Sequence, residues 1–256
     1  MSKLKNYNSV EGKVLKEFLQ DHQIDANIAL IVESYIYKEV IKYYYDDTGA
    51  RTSLRDSEKL RCDYPATDKI KEKYMTKYGK KDGLYQYWYE NGEKQNKSNY
   101  KEGKQDGLYQ TWWSNGKKYR ECRYKEGKRE GCELRWYENG KLHNICNYKE
   151  GKLKGLFQWW YKNGQKWREC NFKYDKKDGL YQEWYENGQQ KGKGFYKKGK
   201  EKGLYQEWYA NGQKWTETNF KDGNLDGEEK CWSEEGKLIC HKIYKDDELK
   251  NIFINE

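Results

Sequence analysis

From residue 83 onward the apolar and polar positions keep one fixed register. The phrase Asp-Gly-Leu-Tyr-Gln-x-Trp-Tyr-x-Asn-Gly returns every 24 residues, with its first glycine at Gly83, Gly107, Gly131, Gly155, Gly179, Gly203 and Gly227. A period of this length marks one supersecondary unit stacked on copies of itself, because a unit so small cannot bury its apolar face alone. Counting each first glycine as position zero, Trp stands at position five in every copy, from Trp88 to Trp232. A second glycine stands at nine, from Gly92 to Gly236, usually after Asn. An aromatic stands at seventeen, from Tyr100 to Tyr244, followed by Lys-Glu-Gly-Lys or a relative of it. Asn-Gly between aromatic runs signals a hairpin, so each unit is expected to be two antiparallel strands and two turns.

The face that each residue occupies depends on the turn. A type I turn with the second glycine in a left-handed bulge pairs position six with ten, four with twelve and one with fifteen. Leu at one, Gln at three, Trp at five, the small residue or Cys at fifteen and the aromatic at seventeen then share one face. Tyr at two, the aromatic at six and the pair at four and twelve share the other. A two-residue type I′ loop instead flips the second strand. In the first register the pair at four and twelve changes in every copy: Tyr87 with Gln95, Thr111 with Tyr119, Arg135 with His143, Trp159 with Trp167, Glu183 with Lys191, Glu207 with Trp215, Cys231 with Ile239. One face reads as structural and the other as a surface that is read. At the usual strand spacing each copy is displaced roughly 10 Å from the last. The expected fold is all-β: an elongated single-layer antiparallel meander of seven hairpin repeats over residues 78–250, with a small α+β cap over 1–77 and a tail over 251–256.

Composition supports a thin aromatic core. Charged residues make up 36% of the chain, yet it holds 26 Tyr and 11 Trp, too many aromatics for disorder. The net charge of +9 arises from 51 basic and 42 acidic residues closely interspersed, a mixed solvated surface rather than a nucleic-acid stripe. Lys at position eighteen of every copy, from Lys101 to Lys245, could form a rail for a membrane or polyphosphate, but an acidic residue follows most of these lysines and largely cancels it. Neither a leader-like apolar run nor a membrane-spanning stretch is seen, so a cytoplasmic location is expected. The Lys, Asn, Tyr and Ile bias hints at an AT-rich bacterial genome or its phage.

The repeat core, clearest from Asp178 to Gly188, resembles the bacterial variant of the MORN repeat over about residues 78–250. The resemblance implies a ladder of hairpins and an interaction role, and proteins with this variant repeat include antitoxin and immunity-type partners of toxins. The pattern is broken by Glu228, Glu229 and Ser233 in the last copy, which reads as a polar cap, and by Asp175 and Asp247 in place of turn glycines.

In the first 80 residues, Ser9 followed by Val10, Val14, Leu15, Phe18 and Leu19 predicts a helix near 10–22. Residues 26–45 read as a helix running into a degenerate hairpin whose turn is Asp46-Asp47-Thr48-Gly49, and Lys71 to Gly79 as a strand entering repeat one.

Chemistry is sparse. His22, His143 and His241 are too dispersed for a triad, and Gly192-Lys193-Gly194 has no following helix to make a phosphate loop. Cys122, Cys146 and Cys170 all stand at fifteen, too far apart from copy to copy for disulfides or zinc, and read as small buried thiols beside Trp. Cys132 is expected to face Cys146, both remaining thiols in a reducing cytosol. Gln at three is expected to build a side-chain hydrogen-bond ladder. No catalytic set, metal site, cofactor or small-molecule substrate is indicated.

The expected function is therefore a non-enzymatic scaffold that binds a protein partner, an antitoxin or immunity-type inhibitor of a toxin or defence nuclease. Its candidate contact residues are Trp113, Tyr119, Arg135, His143, Trp159, Trp167, Lys191 and Trp215, of types that dominate binding hot spots. A membrane-lipid or general scaffold, and a nucleic-acid binder stacking bases on aromatics, are the alternatives. The segment before the repeats is expected to cover the open strand edge. Deleting residues 1–60 should then cause aggregation in light scattering, and a monomeric truncation refutes this.

Overall fold

The computed structural model describes residues 37–45 and 66–253, and joins every strand antiparallel to its chain neighbours in one open 18-stranded sheet. Before the repeats, β1 (Tyr37–Tyr45) pairs with β2 (Ala66–Lys77). Repeat one supplies β3 (Lys80–Trp88) and β4 (Lys94–Lys101), and repeat two β5 (Lys104–Trp112) and β6 (Lys118–Lys125). The pattern continues through β7 (Lys128–Trp136), β8 (Leu142–Lys149), β9 (Lys152–Trp160), β10 (Lys166–Lys173), β11 (Lys176–Trp184) and β12 (Gln190–Lys197). In repeat six the first strand is broken into β13 (Lys200–Glu201) and β14 (Gly203–Trp208), followed by β15 (Lys214–Lys221). The last hairpin is β16 (Asn224–Trp232) with β17 (Leu238–Lys245), and β18 (Glu248–Phe253) adds one strand beyond it.

Three backbone devices recur in each copy. The first is the hairpin turn. Tyr89 N–H donates to Glu93 O at 2.8 Å, Gly92 N–H to Tyr89 O at 3.0 Å, and Gly92 has φ +87°. This is the type I turn with a left-handed glycine, and position six does pair with ten. The Asn ahead of the glycine serves two copies: Asn91 Oδ1 accepts Glu93 N–H at 3.1 Å, and its amide donates to Ser114 O of the next hairpin at 2.8 Å.

The second device changes the faces. Trp88 is paired with Lys94 but Tyr87 with Asn96, so Gln95 is an extra residue opposite nothing. The same shift recurs between Thr111 and Trp112, between Glu183 and Trp184, and in the other repeats. Beyond this bulge position two pairs with fifteen and four with thirteen, as in Tyr109 with Cys122 and Thr111 with Arg120. The expected pairing of four with twelve and one with fifteen is thus corrected: a one-residue bulge inverts the outer part of the second strand.

The third device joins the copies. Glu102 (φ +51°) and Gly103 (φ +82°) form a two-residue turn with both residues left-handed, the type I′ geometry. Ser98 then pairs with Tyr109 and Tyr100 with Gln105, leaving Asp106, Gly107 and Leu108 against Asn99 alone. The period-marking glycine sits in this bulge, with φ +104° at Gly107 and +127° at Gly179. Asp175 and Asp247 occupy the turn-glycine place at φ +66°. Their carboxylates accept the N–H groups of Leu153 at 2.8 Å and Leu225 at 2.6 Å, 22 residues back at the start of the same repeat, so the Asp side chain gains a partner that glycine would lack.

The register puts positions two, four, thirteen, fifteen and seventeen on one face and one, three, five, fourteen and sixteen on the other. The first, the tyrosine face, holds the core: Ser98, Cys122, Glu133, Cys146, Tyr148, Cys170, Tyr181, Tyr196 and Thr218 are all buried. The second, the tryptophan face, leaves Leu84, Leu156, Leu180 and Leu204 about two-fifths exposed, at 39–45%. The expectation that residues at fifteen and seventeen pack beside Trp is therefore reversed. Small residues at fifteen leave room for tyrosine rings from both neighbouring strands. At Gly194 the fit is tightest, for a Cβ there would lie 2.1 Å from Tyr205 Cδ2.

Tyr37–Tyr45 is a strand, so the expected degenerate hairpin has its two arms in β1 and β2, and the reading of residues 26–45 as a helix fails over this stretch. β-Branched and aromatic residues in Val-Ile-Lys-Tyr-Tyr-Tyr favour the strand that β2 can receive. The expected helix near 10–22 and the turn at 46–49 lie outside the described residues.

Two glycine substitutions test the third device. Gly179→Ala should cost about 1–3 kcal/mol, because a non-glycine residue is strained at such a φ and its Cβ would press on Asn171 Cβ at 3.2 Å. Gly131→Ala, at φ +77° with nothing within 4 Å of the added carbon, should cost less. Urea midpoints of the two variants measure the difference.

Candidate functional site

Along the tyrosine face the frame residues repeat, while no two copies carry the same pair at positions four and thirteen. The facing pairs are Tyr87 with Asn96, Thr111 with Arg120, Arg135 with Asn144, Trp159 with Arg168, Glu183 with Gly192, Glu207 with Thr216 and Cys231 with Cys240. Position twelve, the bulge residue, turns instead onto the aromatic at six of its own hairpin. Trp113 and Tyr119 have ring centroids 4.5 Å apart, Tyr137 and His143 4.4 Å, Tyr161 and Trp167 5.8 Å, and Tyr209 and Trp215 5.9 Å. Lys191 does the same, its ammonium 5.8 Å from the Tyr185 centroid.

The aromatic at six is anchored to the next copy. Tyr89 OH donates to Trp112 O at 2.9 Å, Trp113 Nε1 to Trp136 O at 3.3 Å and Tyr137 OH to Trp160 O at 2.7 Å. A row of paired rings therefore runs beside the hairpin turns, fixed below by backbone carbonyls and open above. Trp215 is 42% exposed in it.

These placements correct the expected cluster. Trp159 and Trp167 do not face each other: the bulge puts Arg168 opposite Trp159, which stacks on Phe157 at 3.4 Å between centroids, while the Arg168 guanidinium lies 4.8 Å from the Trp167 ring. Arg135 and His143 likewise separate, Arg135 turning to Glu133 and His143 to Tyr137. Lys191 keeps its expected partner, with Nζ 3.0 Å from Glu183 Oε1. Burial opposes ionisation of Glu183, but hydrogen bonds from Tyr181 and Lys191 and the charge of Arg168 outweigh it and hold the carboxyl below its ordinary value. Burial, aided by Arg135, holds the His143 imidazole low.

The densest charge on this face was not foreseen. Glu133 takes the place of the tyrosine at position two and is 1% exposed. Arg120 Nη2 donates to its Oε2 at 2.6 Å, Arg135 Nε to its Oε1 at 2.8 Å, and Arg129 Nη1 lies 3.7 Å from Oε2. The signal was present in the sequence, because arginines stand at positions thirteen and twenty-two of one copy (Arg120, Arg129) and four of the next (Arg135), around the position two that lacks its Tyr. Only the true register brings them together.

The cysteines also move. Cys132 pairs with Asn147 and is exposed, whereas Cys146 pairs with Glu133 and is buried, so the two lie on opposite faces. Burial pushes the Cys122 and Cys170 thiols up to about 11 and that of Cys146 to about 12, the state of inert packing groups. Cys231, expected to face Ile239, instead faces Cys240, and the two are joined as a disulfide. Glu229 approaches them, and its carboxylate with the two sulfurs spans no more than 4.8 Å. Both sulfurs are held by the S–S bond, which leaves them unable to act as thiolate ligands.

On the tryptophan face, glutamine at three pairs across its own hairpin instead of forming a ladder between copies. Gln110, Gln158 and Gln206 donate to Glu121, Glu169 and Glu217 at 2.8, 3.1 and 2.7 Å. The lysine that opens the second strand joins the same carboxylate in these copies, Lys118 to Glu121 at 2.7 Å and Lys166 to Glu169 at 2.8 Å. Two lysines of the expected rail are neutralised, Lys197 by Asp178 at 3.1 Å and Lys245 by Asp226 at 2.8 Å. Among the described residues no helix is long and apolar enough to cross a membrane.

A family model described as the MORN repeat variant matches seven segments, 81–102, 105–126, 129–150, 153–174, 177–198, 201–222 and 225–246, one per hairpin and together more than half of the chain. No curated protein matches it.

Glu133→Gln should destabilise the protein by about 3 kcal/mol, the lower end for breaking a buried ion pair, since Arg129 and Arg135 each keep 32% of their side-chain surface in solvent. Chemical denaturation reads the shift, and an unchanged midpoint would show that the arginines need no internal counter-ion.

Proposed function

The chain belongs to the MORN repeat variant family, and on that premise we propose that it is a non-enzymatic scaffold that captures a protein partner on its tyrosine face, as an antitoxin or immunity-type inhibitor of a toxin or defence nuclease in the cytoplasm of a bacterium or its phage. The observation that carries this reading is the separation of frame from variation. Hairpin turns, glycine bulges and the carbonyl-anchored aromatics repeat from copy to copy. The side chains at positions four, twelve and thirteen form a different combination in each copy and lie on one continuous side of the sheet. A stack of copies with constant frame and varied side chains offers a long surface whose specificity is set residue by residue. Trp, Tyr and Arg at those positions suit a protein interface.

Trp167 and Trp215 test the reading best, for each packs on one tyrosine of its own hairpin. Replacing both with Ala should abolish capture of the partner from native cells, with circular dichroism unchanged. The captured protein, expressed without this chain, should arrest growth, and co-expression should restore it. Capture that survives the double substitution, or a partner harmless on its own, overturns the corresponding half of the proposal. Liposome flotation, and DNA binding that weakens steeply with salt, would favour the lipid and nucleic-acid alternatives.

A further inference from the structure

Over repeats one and two the tyrosine face is hollowed into a cavity of about 650 Å³. Among the described residues, three cations and no carboxylate line it: Lys81 from the strand that opens repeat one, and Arg120 and Arg135 from repeats two and three. We propose that this cavity is a receptor for carboxylate side chains, taking an extended acidic segment of the partner protein. The inference rests on the reading of the chain as a protein-binding scaffold and names the chemistry of the segment bound.

Charge complementarity carries the argument. Arg120, Arg129 and Arg135 converge on the single carboxylate of Glu133, leaving a surplus of positive charge on a half-buried face. Positive charge held away from bulk water draws an anion more strongly than the same charge on an open surface. Lys81 extends the field along the cavity, its ammonium 4.0 Å from the Tyr85 centroid and 4.7 Å from that of Tyr74. Its Glu72 partner, at 3.5 Å, does not line the hollow.

Geometry favours a carboxylate. Arg135 holds Glu133 Oε1 with Nε at 2.8 Å and Nη2 at 2.7 Å, which fixes the guanidinium in place and leaves its other N–H groups for a second carboxylate. Thr111 Oγ1 and Arg120 Nε are buried without a hydrogen-bond partner among the described residues, and both residues belong to the cavity wall. Polar atoms in that condition mark a region whose hydrogen bonding is incomplete. Trp113 and Tyr119, tilted against each other with centroids 4.5 Å apart, close one side with apolar surface, against which the stem of a Glu residue or an aromatic neighbour can lie.

The experiment titrates the full chain with a labelled peptide of alternating Glu and Tyr, a matched Lys and Tyr peptide, tripolyphosphate and oligothymidylate, with no partner present. The acidic peptide should bind saturably at one site, and the lysine peptide should not. Arg135→Gln should weaken binding about tenfold or more, as the loss of a charged bidentate contact does. Because Arg135 also supports Glu133, Lys81→Gln at the other end supplies a second variant, expected to weaken binding several-fold. Arg123→Gln, an exposed site on the tryptophan face, should leave affinity unchanged. Equal weakening in Arg123→Gln, absence of acidic-peptide binding, or preferential binding of tripolyphosphate or oligothymidylate that the peptide cannot displace would each overturn the inference. Partner capture unaffected by Arg135→Gln and Lys81→Gln would overturn it too while leaving the scaffold function standing, and failure of capture with the peptide result intact would do the reverse.

Discussion

One unpaired residue per hairpin decides what this protein presents. The turn alone would set Tyr at position two against the residue at fourteen and send the small side chains to the tryptophan face. The bulge at position twelve shifts the outer ladder by one, and since side chains alternate strictly across a sheet, one residue is enough to exchange faces. Two consequences follow together. Thiols, serine, glycine and threonine at fifteen come opposite tyrosine at two, giving a core in which large rings alternate with small neighbours. The bulge residue, freed from the ladder, leans onto the aromatic at six, as Tyr119 does on Trp113 and Trp215 on Tyr209. Core packing and surface variation share a single cause.

The strength of the arrangement lies in contacts between copies. Tyr161 OH on Trp184 O at 2.9 Å, Asn163 Nδ2 on Glu186 O at 2.9 Å and their counterparts tie each hairpin to the next at one fixed offset. Backbone groups at the turn ends, which the strand ladder does not reach, find their partners in these side chains. Asp82 and Asp106 do the same at the other end, accepting Glu102 N–H at 3.0 Å and Glu126 N–H at 3.1 Å. Each copy therefore contacts only its neighbours, as expected of a linear array. Perturbation of one frame residue is passed to the adjacent hairpin first.

Much of this was legible in the chain. Gly92 after Asn91 announced the turn and its left-handed bulge, and the period of the first glycine announced the array. The bulge at twelve was not legible from its own residues. Gln95, Tyr119, His143, Trp167, Lys191, Trp215 and Ile239 share no residue type that marks a bulge, because a bulge of this type needs no positive φ and hence no glycine. A longer-range signal existed. Glutamine at three and glutamate at fourteen occur together in Gln110 and Glu121, Gln158 and Glu169, and Gln206 and Glu217, and these pairs meet only in the shifted register. The arginine cluster was hidden for the same reason, since its members converge on Glu133 only once position thirteen faces position four.

Glu133 shows how far such a frame can be rewritten. A tyrosine at position two contributes apolar area and edge-on ring contacts, as Tyr109 does against Tyr124 at 5.6 Å. Replacing it with a carboxylate would by itself leave a buried charge, a change costly enough to unfold a small domain. In this chain the neighbouring variable positions supply the compensation, with Arg135 two residues along the same strand and Arg120 across the preceding one. Arg129 keeps an apolar role at the same time, its guanidinium lying 3.8 Å from the Tyr148 centroid. The variable positions are thus close enough to one another to be exchanged as a set, and a set that carries more positive charge than its own carboxylate can balance leaves part of its valence directed outward.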